Sequence, residues 1–148
     1  MSEYLSVENV ILENKALSNY DLIDAVKKLK IKNFRGVFLR DQLPYKCKKN
    51  ECGIVNLKES PPGTHWVCYF RESNKKGKRN YYFDSYGLPP PLEIINYLEQ
   101  SDDGQSIEHN IYQIQRNNTV ICGHLCLYVL KKLNDGNQFN DIILKLVR

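Results

Sequence analysis

The chain has 148 residues, of which 42% are hydrophobic and 26% charged, and its formal net charge is +4. One domain with one real core fits that length, and the composition excludes a disordered or fibrous chain. No apolar run approaches the roughly 20 residues of a membrane-spanning helix, so no membrane partner is expected.

The first residues, MSEYLSVENV, carry acids and lack the basic-then-apolar order of a secretory leader. A soluble intracellular monomer is expected, in the nucleus or cytoplasm. Ser18 to Lys30 reads as a helix: Ser18 caps it, Asp21 lies near its positive end, and Leu22, Val26 and Leu29 form one apolar stripe. Gly36 to Leu39 and Cys52 to Leu57 read as strands, the second ended by the turn-forming stretch Glu59 to Gly63. Thr64 to Phe70 and Asn80 to Asp84 are rich in β-formers and should pair as an antiparallel hairpin across the polar connection Arg71 to Arg79. In such a hairpin the start of the first strand lies beside the end of the second, so His65 and Asp84 fall together.

After a turn at Ser85 to Leu88, three prolines lead into a helix from Leu92 to Gln100, with Leu92, Ile95 and Leu98 on one face. Ser101 to Gln105 reads as an exposed loop. Ile111 to Gln115 alternates and reads as a strand with Gln113 and Gln115 on one side. From Cys122 a strong helical stripe (Leu125, Val129, Leu130, Leu133) runs to a stop at Asn134 to Gly136, and a last helix covers Gln138 to Val147. The order predicts one α+β domain over residues 1–148, with a mostly antiparallel sheet and helices packed on it.

Five cysteines (Cys47, Cys52, Cys68, Cys122, Cys126) without an export signal argue against a disulfide framework. Each is then core filler, metal ligand or nucleophile. Cys122 stands at the first turn of the strongest helix, where unpaired N–H groups and the dipole favour a thiolate. Gly123 beside it leaves room for a substrate. His65 would be the base, Asp84 the group that fixes its tautomer, and Gln115 an amide donor to an oxyanion. Each residue also has a plainer reading. Cys122 fits a core thiol, His65 a packed or surface histidine, and Asp84 a turn residue. The pairs Cys47/Cys52 and Cys122/Cys126 stand at loosely metal-like spacing, which keeps a zinc-binding interaction module open as an alternative. No metal and no cofactor is expected.

Gly63-Thr64-His65-Trp66, a strand ending in Asp84, and Gln115 followed by Cys122-Gly123 together resemble the adenovirus endopeptidase (adenain) family. That family shares a clan with the ubiquitin-like-protein proteases. Phe34 to Phe38, Pro44, Cys52 to Asn56 and Gly123 to Cys126 extend the likeness, which runs from about Ser18 to Leu133. Tyr82 to Pro91 resembles the version carried by Polinton/Maverick-type transposons and related viruses. The resemblance implies a cysteine endopeptidase with Cys122, His65, Asp84 and Gln115 in the roles above and Trp66 beside a narrow substrate cleft. It implies cleavage after glycine, at Gly-Gly-X or Gly-X-Gly sites of precursor proteins, and packaging in virions. A Gly-Gly-terminated modifier is the alternative substrate and a catalytically silent binding module the alternative function. Three departures stand out. Asp84 replaces the viral Glu, and Arg148 lies short of the viral C-terminal lobe. No cysteine between Cys68 and Cys122 can bond an activating peptide. The lysine clusters Lys27 to Lys32, Lys46 to Lys49 and Lys75 to Arg79 read as solvated faces, with weak DNA binding as their only nucleic-acid role.

Overall fold

The computed structural model describes residues 4–58, 65–100, 106–116 and 119–147. Its elements are β1 (Tyr4–Val7), β2 (Val10–Glu13), α1 (Asn19–Leu29), β3 (Phe34–Leu39), β4 (Glu51–Asn56), β5 (Trp66–Asn74), β6 (Gly77–Phe83), α2 (Leu92–Leu98), β7 (Glu108–His109), α3 (Cys122–Asn134) and α4 (Phe139–Val147). The α+β class expected from the sequence holds. Five strands form one sheet in the order β3-β4-β5-β6-β7, and β1 and β2 form a separate hairpin. The main sheet is mixed. β4/β5 and β5/β6 are antiparallel over six and seven residue pairs, whereas β3/β4 and β6/β7 are parallel over five and two. By paired length it is mostly antiparallel.

Alternation along the central strands sorts two cores. Trp66, Cys68, Phe70 and Phe83 face the layer of α1, α3 and α4, packing with Leu22, Val26, Cys126, Leu127 and Leu130. Val67, Tyr69 and Tyr82 face the opposite way, onto Ile94, Tyr97 and Leu98 of α2. Covered on both faces, β5 is the spine of the domain, and its first six residues are buried.

The cap expected at Ser18 is a full capping box. Its hydroxyl accepts from the Asp21 amide at 3.1 Å, and the Asp21 carboxylate accepts from the Ser18 amide at 2.9 Å. The hairpin also forms, but its strands run on through the polar residues to a two-residue connection between Asn74 and Gly77. The charged side chains from Glu72 to Arg79 that suggested a long loop are tolerated because they are at least partly exposed, whereas Arg71 is buried and donates to the Leu98 carbonyl at 2.9 Å. α2 buries Ile94, Tyr97 and Leu98 rather than the face carrying Leu92 and Ile95; Leu92 is exposed.

The strand expected at Ile111 to Gln115 is absent. The strand that pairs with β6 is β7, just before it, and the amides of Ile114 and Gln115 both donate to the Ser85 carbonyl, at 2.7 and 2.9 Å. Two consecutive donors on one oxygen make a turn, not a ladder. The β1/β2 hairpin has no counterpart in the sequence reading; it packs on α1 and α3, where His124 Nε2 bonds the Glu13 carbonyl at 2.7 Å. The turn expected at Glu59 to Gly63 and the loop at Ser101 to Gln105 lie outside the described residues. No helix among the described residues is long and apolar enough to cross a membrane.

Because the α1 capping box satisfies two end groups at once, Ser18→Ala is expected to cost about 1 kcal/mol of stability, seen as a lower urea midpoint at unchanged slope.

Candidate active site

Cys122 is the first residue of α3, and no side chain caps that end: Ile121 occupies the capping position, and the first turn carries no acid. Unpaired N–H groups and the positive end of the dipole therefore meet the sulfur. The backbone amide of Trp66 adds a donor, its nitrogen 3.5 Å from Sγ. The thiol is buried, like all five cysteines, and none forms a disulfide.

His65 lies one residue before β5, and Asp84 one residue after β6, so the hairpin brings them together as its pairing dictates. His65 Nε2 is 2.8 Å from Asp84 Oδ1, inside a buried setting. That bond leaves Nδ1 for Cys122, whose sulfur lies near enough to favour the charged ring. Burial opposes a charged imidazole, but the hydrogen bonds and charges of Asp84 and Cys122 outweigh it and push the His65 pKa up to about 9. At neutral pH the ring is an imidazolium, donating Nε2–H to the carboxylate. Tyr86 stacks on it with centroids 4.9 Å apart.

Asp84 is itself locked in place. The Asn110 side chain clasps its backbone, accepting from the Asp84 amide at 3.1 Å and donating to its carbonyl at 2.7 Å. Oδ1 also accepts from the Tyr86 amide at 2.8 Å. The following turn closes when the Gly87 amide donates to the Asp84 carbonyl at 2.8 Å. Gly87 has φ +76°, and a Cβ there would stand 2.9 Å from the backbone of Ile111 and Tyr112, so only glycine fits.

Gln115 is buried on the same side of this turn. Its Oε1 accepts from the Ser85 hydroxyl at 2.6 Å, and its Nε2 donates to the Thr119 carbonyl at 2.8 Å, three residues before Cys122. Gln113, expected on the same strand face, is exposed. The contacts form a series from His65 to Asp84, then through the adjoining Ser85 to Gln115 and on to Thr119.

Two residues assigned to a substrate cleft behave differently. Trp66 is buried, its indole N–H donating to the Leu17 carbonyl at 2.8 Å, and it forms part of the wall of a cleft of about 660 Å³ lined also by Leu17, Ser18, Val37, Leu39 and Asn56. Gly123 does not open a path for substrate. It is buried, and an added Cβ would come within 3.2–3.3 Å of Trp66, Leu17 and Leu22; its missing side chain lets α3 pack closely on that corner.

Asn110, Ser85 and Tyr86 escaped the sequence reading. Asn110 acts on a residue 26 positions away, and no local pattern marks such a clasp. Of the proposed zinc ligands, Cys126 is fully buried and donates to the Trp66 carbonyl, with its sulfur 3.4 Å away. Among the described residues, no three His, Cys, Asp or Glu side chains gather as a metal site would require.

No protein-family model and no curated protein matches the sequence. Solved structures do. The crystal structure of the ASFV pS273R protease aligns at a TM-score of 0.68 with 16% identity, over 88% of this chain and 62% of that one. The selenomethionine form of the same protease aligns at 0.64 with 18% identity and the same coverage. The chain shares the fold of that protease and spans about three-fifths of its length.

A histidine whose folded pKa is raised stabilises the fold fully below its unfolded value and loses that contribution as pH climbs through the folded value. For His65 the window opens near pH 6.5 and closes near 9. NMR titration of its ring should give a midpoint near pH 9, falling by more than a unit in Asp84→Asn. A midpoint that stays put in the variant would remove Asp84 as the cause.

Proposed function

We propose that the chain is a cysteine endopeptidase with Cys122 as nucleophile, His65 as its acid–base partner, Asp84 as the group that orients His65, and Gln115 as an oxyanion donor. The observation that carries this reading is the His65 ring, held by Asp84 at 2.8 Å in the neighbourhood of a sulfur at an uncapped helix start. The shared fold with a viral cysteine protease supports it.

The chemistry follows from the charges. The Cys122 thiolate attacks the carbonyl carbon of the scissile peptide, and the carbonyl electron pair moves onto oxygen. The second N–H of Gln115 Nε2 and the Cys122 backbone N–H receive the negative charge. The His65 imidazolium gives its Nδ1 proton to the departing amine as the C–N bond breaks, leaving a thioester on Cys122. Neutral His65 then takes a proton from water, whose oxygen attacks the thioester carbon. Collapse expels the thiolate, releases the new carboxyl terminus and restores the imidazolium. Asp84 keeps the ring in one orientation through both halves.

The substrate class we infer is a protein cleaved after glycine, in precursor polypeptides of a virus or transposon. The resemblance to adenain and its Polinton/Maverick relatives supports this. So does the rigid wall at Trp66, whose own amide touches the sulfur: a residue without a side chain fits most easily between that wall and the nucleophile.

Treatment with a peptidyl-glycine aldehyde or vinyl electrophile should add one adduct, on Cys122 alone, by mass spectrometry. Cys122→Ala should lose all cleavage of a peptidyl-Gly-Gly-aminomethylcoumarin while keeping its thermal midpoint. Appreciable turnover in that variant sinks the nucleophile assignment. Cys126→Ala should instead cost about 1 kcal/mol of stability and leave turnover within a few-fold.

Gln115→Ala should lower kcat about 10²- to 10³-fold with KM little changed, since the amide is needed most when the oxygen is charged. Gln113→Ala, which removes an exposed side chain, should stay within a few-fold of the parent. Two mild variants would leave the oxyanion to backbone N–H groups, and reversed magnitudes would shift the role to Gln113.

A further inference from the structure

We infer that Ser85 is a positioning residue for the oxyanion donor: its buried hydroxyl and its carbonyl hold Gln115 in place while the Thr119 carbonyl sets which way the amide faces. The inference rests on the functional reading of Gln115 above and adds to it the residue on which that donor depends.

A glutamine side chain ends in a group with two nearly isosteric edges, an acceptor oxygen and a donor NH₂, and a half-turn of its last torsion exchanges them. An oxyanion donor works only in one of those states. Flipped, it presents a lone pair to a developing negative charge and opposes the reaction it should assist. Something must therefore select the state before substrate arrives.

The Thr119 carbonyl makes the selection, and the Ser85 hydroxyl, which could pair with either edge, holds the side chain in the state selected. The Thr119 carbonyl is an acceptor only, so it takes an N–H of Nε2, at 2.8 Å. The Ser85 hydroxyl sits on the other edge, 2.6 Å from Oε1. A carbonyl oxygen has no proton, so the Ser85 O–H must donate. Ser85 has no exposed surface, so no water competes for that hydroxyl. The same residue fixes the glutamine's main chain, because its carbonyl accepts the Ile114 and Gln115 amides. Ser85 thus grips Gln115 at both backbone and side chain, and leaves the second N–H of Nε2 as the free donor.

The position of Ser85 in the chain gives the grip its meaning. It directly follows Asp84, which bonds His65, and precedes Tyr86, which stacks on His65. Three consecutive residues therefore align the acid–base group and the oxyanion donor from one short turn. Any shift of that turn moves both halves of the machinery together, which keeps their separation constant.

Alkylation of Cys122 by iodoacetamide builds no oxyanion, while peptide cleavage does, and this difference separates the roles. Ser85→Ala should alkylate at the parent rate, showing that Cys122, His65 and Asp84 are intact. Its kcat on peptidyl-Gly-Gly-aminomethylcoumarin should fall about ten-fold at unchanged KM, the scale of one lost orienting hydrogen bond. The double variant Ser85→Ala/Gln115→Ala should be no slower than Gln115→Ala alone, since a positioning group has nothing left to position. Full turnover in Ser85→Ala, beside a strongly impaired Gln115→Ala, overturns the inference. So does a parallel fall in alkylation, which would place Ser85 with Asp84 and His65 instead. A Gln115→Ala enzyme with full kcat, alongside a dead Cys122→Ala, would refute the oxyanion assignment itself and leave the nucleophile standing.

Discussion

Everything at the site depends on how α3 is seated on β5. The seat is tight because Gly123 has no side chain to hold Trp66, Leu17 and Leu22 away. It is keyed by sulfur: Cys126 donates to the Trp66 carbonyl, and Cys68 reaches back to the Cys126 carbonyl, 3.8 Å from its sulfur. These contacts place the N-terminal end of the helix, and Cys122 with it, against the start of the central strand. Because Trp66 is fixed from both sides, its amide is held facing Sγ. A rotation of α3 by a fraction of a turn would keep the core apolar but take the thiol away from His65. Close packing, which has few alternative solutions, is what excludes that rotation.

The second requirement is polar. His65, Asp84, Ser85, Asn110 and Gln115 are all buried, and unpaired polar groups in such surroundings are costly. Their partners satisfy one another and the backbone of a single turn. Away from the site the same logic holds Glu51. This buried carboxylate accepts from Tyr69, Tyr97, Arg35 at 2.9 Å and the Lys48 amide at 2.9 Å, and ties four segments together on the α2 side of the sheet. Several donors overcome the burial that would otherwise neutralise it, and its pKa lies below the ordinary value.

Much of this was legible in the residues. Period and caps located α1, α3 and α4, and two aromatic runs located the hairpin that juxtaposes His65 and Asp84. These features are local, or need only one turn between neighbours. The parallel pairings at β3/β4 and β6/β7 were not legible, because nothing in a strand's own residues names a parallel partner. The alternation of Ile111 to Gln115 misled for a related reason. It marks a period-2 pattern, but the segment's amides are claimed by Ser85, a residue remote in sequence. Gly123 misled in another way: a glycine beside a nucleophile suggests access, yet its neighbour turned out to be the core. Asn110 and Ser85 act by single long-range hydrogen bonds, and such bonds leave no periodicity to read.

The chain order of these parts has a consequence during synthesis. The strands from β3 to β6 are complete once Phe83 has left the ribosome, and His65 and Asp84 can already pair at the hairpin's end. The face bearing Cys52, Ile54, Trp66, Cys68, Phe70 and Phe83 can meet α1, made before it, but is fully covered only once α3 (Cys122–Asn134) has followed. A nascent chain therefore carries the His65–Asp84 pair before the Cys122 thiol, and an apolar sheet face still partly open to water. Docking of α3 ends both conditions in one step: it buries the sticky surface and delivers the sulfur. Newly made protein thus brings its Cys122 thiol to His65 only in the step that closes its core.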